Sequence, residues 1–208
     1  MSTPRVLTLP PQARVERWSV RGGFRQVIVH SPPAPRGWVL LVPGFTSSKE
    51  DFIGMLAPLA SAGFAAVAYD QLGQHESTGA PLESDYALLA LADDLLDVHA
   101  QAISVLGVNA SAHVLGHSFG GLVVQAAAES PRFDASAVTL MCSGPGALPE
   151  HRRGLLPALI DALPKAGLED LWRAKRAWER SAGEPEPPAE IEAFCRDRWL
   201  RNDPVGLR

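Results

Sequence analysis

The sequence predicts an α/β fold built on an open, mostly parallel sheet, and three observations carry that prediction. The runs at 38–42, 64–69, 113–115 and 137–142 are short and apolar, as strands covered on both faces are. Stretches with apolar residues at helical spacing separate most of them. Finally, Gly116-His117-Ser118-Phe119-Gly120 lies where one such run gives way to a helix of good formers. Repeated β–α units of this kind make a parallel sheet with right-handed crossovers.

Each element has a local reason. Residues 14–20 alternate through Val15, Arg17, Trp18 and Val20, and Gly22-Gly23 supplies a turn into a second strand over 24–30, so the two form a hairpin. Pro32, Pro33 and Pro35 stiffen the next loop. The run at 38–42 ends at Pro43-Gly44-Phe45-Thr46, and a helix from about 49 to 62 carries Phe52, Met55, Leu56 and Leu59 until Gly63 stops it. The strand at 64–69 delivers Asp70 to its carboxyl end. A polar loop follows, then a long helix near 85–104, with Leu88, Leu91, Leu95 and Val98 buried and Asp93, Asp94 and Asp97 facing solvent. After the strand at 137–142, Ser143-Gly144-Pro145-Gly146 breaks the chain, and no further strand pattern appears. The remainder has helical spacing at 152–163 and 168–180, a proline-rich linker at 184–188 and a last helix at 189–200. The division expected is a core over 1–147 and a helical cap segment over 148–208, laid on the carboxyl edge of the sheet.

Composition narrows the function. The 208 residues are 46% hydrophobic and 20% charged, which suits a globular protein with a real core. A net charge of −4 gives no electrostatic case for nucleic acid or an anionic membrane. Cys142 and Cys195 make neither a disulfide framework nor a zinc spacing. The N-terminus lacks the apolar core of a signal peptide and no run reaches membrane-spanning length, so the expected location is cytoplasmic. Neither metal nor organic cofactor is implied, and the oligomeric state is left open.

The glycine-flanked serine carries the chemistry. A G-x-S-x-G between strand and helix is a nucleophile elbow: the chain reverses within a few residues and lifts the Ser118 hydroxyl above the sheet, at the positive end of a helix. Gly116 and Gly120 make the turn possible because neither has a side chain in the way.

With those residues in view, the sequence resembles the α/β-hydrolase superfamily, in its cap-bearing esterase, acylglycerol lipase and thioesterase-like branches. The resemblance runs from about 14 to 141 and more loosely through the cap. Besides the elbow, the run ending in Pro43-Gly44-Phe45-Thr46 stands where the family places its oxyanion loop, with proline where histidine is usual. Asp70-Gln71-Leu72-Gly73-Gln74-His75-Glu76-Ser77 is similar to the family's D-x-x-G-x-G-x-S loop, with His75 in place of the second glycine. The resemblance implies acyl transfer on an ester, thioester or amide, with Ser118 as nucleophile and the backbone N–H groups of Phe45 and Phe119 as oxyanion donors. Leu155, Leu159, Trp172 and Trp178 in the cap suggest a small, partly apolar substrate, although amphipathic helices pack such a stripe inward anyway.

It also implies an acid and a histidine on later strands, which this sequence does not display. Asp161, Asp170, Asp197 and Asp203 lie in helical or terminal segments, and no histidine follows them. His75 and His151 are the weak base candidates; His117 should point away from Ser118, and Asp70 reads as a loop cap. By the same resemblance the sheet lacks its last strands. The expectations are therefore an amino-terminal part of a longer hydrolase and an exposed apolar edge at 137–142. Two other functions fit the residues: a non-catalytic remnant or binding protein without a full triad, and a non-hydrolytic relative such as an acyltransferase, haloperoxidase or lyase.

Overall fold

In a computed structural model that describes residues 3–144 and 166–207, six strands form one sheet in the order β1-β2-β4-β3-β5-β6. β1 (Arg14–Val20) and β2 (Gly23–His30) make the expected hairpin, paired Val20 to Gly23 at its turn. β2 then runs antiparallel to β4 (Phe64–Tyr69). From there the sheet is parallel: β3 (Gly37–Val42) lies between β4 and β5 (Ala112–His117), and β6 (Ala135–Met141) closes the far side.

Helices cover both faces. α1 (Ile53–Ser61), through Ile53 and Leu56, and Phe52 just before it pack against Ile28, Leu41, Ala66 and Ala68. On the other face α2 (Leu88–Leu106) and α3 (Phe119–Ala127) bury Leu91, Leu95, Val98, Val123 and Val124 on Val27, Leu40 and Val67. β3 is buried along its whole length, which is why its sequence is an unbroken apolar run rather than an alternation.

Several expectations need correction. The first helix is split: Lys49–Phe52 forms a tight 3₁₀ turn, and regular helix begins only at Ile53. The long helix starts at Leu88, after a 3₁₀ turn at Glu83–Tyr86, and Leu88 is exposed rather than part of the buried stripe. Asp94 is not solvated; it is 8% exposed and held in an ion pair. Cys142 is exposed and Cys195 buried.

β6 is an edge of the sheet, as expected, and Val138, Leu140 and Met141 on it are exposed among the described residues. Of the carboxyl-terminal part, α4 (Leu168–Ser181) and α5 (Ala189–Leu200) pack on one another through Leu171, Trp172, Ile191 and Trp199. The helix expected at 152–163, with Leu155 and Leu159, lies outside the described residues. Trp178 is largely exposed.

One buried histidine makes the fold acid-sensitive. His99 packs against Trp38, ring centroids 5.1 Å apart, and against Phe133, while its Nε2 lies 2.9 Å from the Asp134 carbonyl oxygen. Burial pushes its pKa below the ordinary 6.5, and the Asp134 carbonyl offsets this only in part. As pH falls through 6.5 the unfolded chain gains a proton that the folded one refuses, so the stability present above that pH is lost below it. His99→Phe is expected to flatten the stability–pH curve below about pH 6.5, by at most about 1.4 kcal/mol per pH unit, read by urea titration.

Candidate active site

The strand order creates a place for a ligand. From β3 the chain crosses through α1 to β4, whereas from β5 it crosses through α3 on the opposite face to β6. A crevice therefore opens between the carboxyl ends of β3 and β5, the switch point at which open α/β sheets bind ligands. Phe45 follows β3 and Ser118 follows β5.

Ser118 is exposed and sits at φ 52°, ψ −119°, a left-handed conformation for a residue with a side chain. Strain of this type costs on the order of 1–3 kcal/mol and persists only where surrounding structure imposes it. Here Ser118 N–H donates to the Met141 carbonyl (2.9 Å), and the Ser118 carbonyl accepts from Gly121 N–H (3.0 Å). The glycines are equally constrained: a Cβ on Gly116 would lie 2.6 Å from Gly121 Cα, and one on Gly120 would lie 2.5 Å from the Val42 carbonyl oxygen.

The Phe45 and Phe119 rings meet edge to face, centroids 6.0 Å apart, and a Cβ on Gly44 would lie 3.3 Å from Ser118 Cβ. The two loops thus converge on the serine. Neither the Phe45 nor the Phe119 backbone N–H donates to an acceptor among the described residues. Phe119 begins α3, where an N–H has no intrahelical partner and the helix dipole favours negative charge. Beside them a small cavity of about 40 Å³ is lined by Phe45, Gln74, Tyr86, Phe119 and Leu207. Residues past α5 help to form it: Asp203 N–H donates to the Gly73 carbonyl (2.7 Å), and Tyr86 Oη–H donates to Asp203 Oδ2 (2.8 Å).

No histidine among the described residues hydrogen-bonds Ser118 Oγ. His117 is half-buried, and burial lowers its pKa while Asp51 raises it. His151 lies outside the described residues. His75 is buried edge-on against Phe194, 5.5 Å between centroids, with its Nδ1 unpaired. Burial lowers its pKa first, against a smaller pull from Glu50.

Around His75 lies a charge cluster that the sequence reading missed. Lys49 Nζ donates to Asp70 Oδ2 (2.8 Å) and Glu76 Oε2 (2.7 Å), and pairs with Glu50 Oε1 (2.9 Å). Asp70, read as a loop cap, also accepts from the Lys49 backbone N–H (2.8 Å). Burial disfavours the Lys49 ammonium, yet Asp70 and Glu50 carry it above the ordinary lysine range. Asp70 is pushed up to about 7 by burial, a rise that Lys49 only partly opposes. No spacing rule announces a lysine buried at the foot of a 3₁₀ turn.

Residues 39–207 match the sequence profile of the alpha/beta hydrolase family. The chain belongs to that family. Among solved structures, an alpha/beta hydrolase from Novosphingobium aromaticivorans is 21% identical with a TM-score of 0.64, covering 89% of this chain and 62% of its own. A hydrolase from Pseudomonas aeruginosa gives 18% identity and a TM-score of 0.71, covering 93% and 69%. An epoxide hydrolase from an endophytic Streptomyces gives 26% identity and a TM-score of 0.57, covering 77% and 44%. This family member thus spans less than two thirds of the length of the first and third of these relatives. A search among curated protein sequences found no match. No helix among the described residues is long and apolar enough to cross a membrane.

Proposed function

We propose that this chain carries the nucleophile and oxyanion half of a serine hydrolase acting on a small carboxylic ester, thioester or amide. One observation carries the reading: an exposed serine held at φ 52° at the N-cap of α3, beside the N–H groups of Phe45 and Phe119 that lack acceptors. Ser118 Oγ attacks the acyl carbonyl and the two amides receive the developing oxyanion. Each such donor is worth about 10²–10³ in rate because it is oriented before charge develops. The helices α4 and α5 serve as a cap, since α5 packs Phe194 on His75 and anchors Arg198 to Asp51 (2.7 Å) on the core. Family membership supports a hydrolase, and the Streptomyces epoxide hydrolase this chain resembles is of the same class.

A second reading, a binding protein on the same scaffold, is favoured by the lack of a histidine bonded to Ser118 Oγ among the described residues. Fluorophosphonate labelling separates the two, because prompt attack on the probe needs a proton acceptor. Labelling that disappears in Ser118→Ala supports the hydrolase. Labelling no faster than in Ser118→Ala supports the binding protein.

A further inference from the structure

The cluster beside the crevice is short of positive charge. Lys49 is its central cation and faces Asp70, Glu50 and Glu76 together. Arg201 lies near enough to influence His75 and Glu76, but its guanidinium is engaged with Asp197 (2.8 Å). Lys49 uses one oxygen of each glutamate, Oε1 of Glu50 and Oε2 of Glu76. That leaves Glu50 Oε2 buried without a partner.

His75 adds an independent sign. It is 8% exposed, its Nδ1 has no hydrogen-bond partner, and its backbone is held at φ 46°. Buried polar atoms are seldom left unpaired, and an orphan imidazole beside an orphan carboxylate oxygen is a donor pair awaiting an acceptor. One ring nitrogen of His75 and one oxygen from each of Glu50 and Glu76 lie within 4.8 Å of one another. Three donors around a zinc ion at about 2.0–2.2 Å stand about 3.4 Å apart, so the ion requires these side chains to draw together.

We propose that Glu50, His75 and Glu76 form a binding site for a divalent first-row transition-metal ion, zinc being the reference. The imidazole selects against magnesium and calcium, which prefer oxygen donors throughout. Lys49 keeps its bond to Asp70 Oδ2 (2.8 Å). The ion ties the turn after β3 to the loop after β4, the same two loops joined by Gln71 Nε2–H to the Pro43 carbonyl (2.8 Å) and Gln74 Nε2–H to the Gly44 carbonyl (3.1 Å). It therefore fixes the segment that presents Phe45, whether or not Ser118 is a nucleophile.

The test is calorimetric titration of untagged, EDTA-dialysed protein with zinc chloride, in a Cys142→Ser background that removes the exposed thiol. The expected result is one equivalent bound, a raised melting temperature, and affinity at least ~10-fold weaker in Glu50→Gln and His75→Gln, with magnesium chloride giving no heat. Cobalt(II) supplies a second readout, a visible absorption band lost in the same variants. Glu76→Gln, at a more exposed position, replaces either variant that fails to fold by circular dichroism. Absence of zinc binding, or binding equal in all variants, overturns the site and assigns the cluster to Lys49 alone.

Discussion

Gly120→Ala is expected to unfold this protein far more readily than any surface change, lowering stability by at least the upper part of the about 1–3 kcal/mol typical of overpacking. The added Cβ would stand 2.5 Å from the Val42 carbonyl oxygen and 3.0 Å from the Pro43 carbonyl carbon, with the Pro43 oxygen nearer still. These are backbone atoms at the end of β3, and they cannot swing aside as a side chain would. Moving them shifts the loop that carries Phe45. The control is Gly54→Ala, on exposed helix with nothing within 4 Å of the new methyl group. There the substitution should gain up to about 1 kcal/mol through helix propensity. Urea midpoints measure both. A Gly120→Ala midpoint equal to wild type would mean that β3 and α3 do not approach as described.

Arg25→Met is expected to cost about 3–5 kcal/mol, the usual result of stranding a buried charge. Arg25 is 1% exposed and grips Asp94 through Nε to Oδ2 (2.9 Å) and Nη2 to Oδ1 (2.6 Å), with Nη1 donating to the Phe24 carbonyl (2.8 Å). Burial already raises the Asp94 pKa, and Arg25 is what opposes that rise. Without the guanidinium the folded pKa climbs further above the unfolded one, so stability present at low pH is lost as pH rises through it. The deficit of Arg25→Met should therefore grow as pH rises above about 4. Arg25→Met with Asp94→Leu should recover most of the loss, because apolar groups of similar size need no partner. A double variant no better than the single one would show that the pair is not isolated in apolar surroundings.

Asp94 also shows where the sequence was readable and where it was read wrongly. It lies three residues after Leu91 and four before Val98, both buried, so helical spacing puts it on the apolar stripe. Its charge suggested solvent, but its position required a partner. The parallel strands and the elbow were legible because full burial and a forced backbone turn each leave a compositional mark, the unbroken run of β3 and the glycines around Ser118. The cluster of Lys49, Glu50, Asp70, His75 and Glu76 left no such mark. Its members come from two loops that become neighbours only once β3 and β4 pair in register, Leu40 beside Val67. Side-chain convergence of that kind has no period.

The bond between Asp51 and Arg198 has a consequence for synthesis on the ribosome. The two are 147 residues apart, and both side chains are almost wholly enclosed when joined. A growing polypeptide presents the aspartate long before its guanidinium emerges, so this corner of the molecule must stay hydrated and open until residue 198 is outside the ribosome. Closure of α5 onto the early loops therefore waits until Arg198 has left the ribosome, and the nascent amino-terminal half is the stage most in need of chaperone protection.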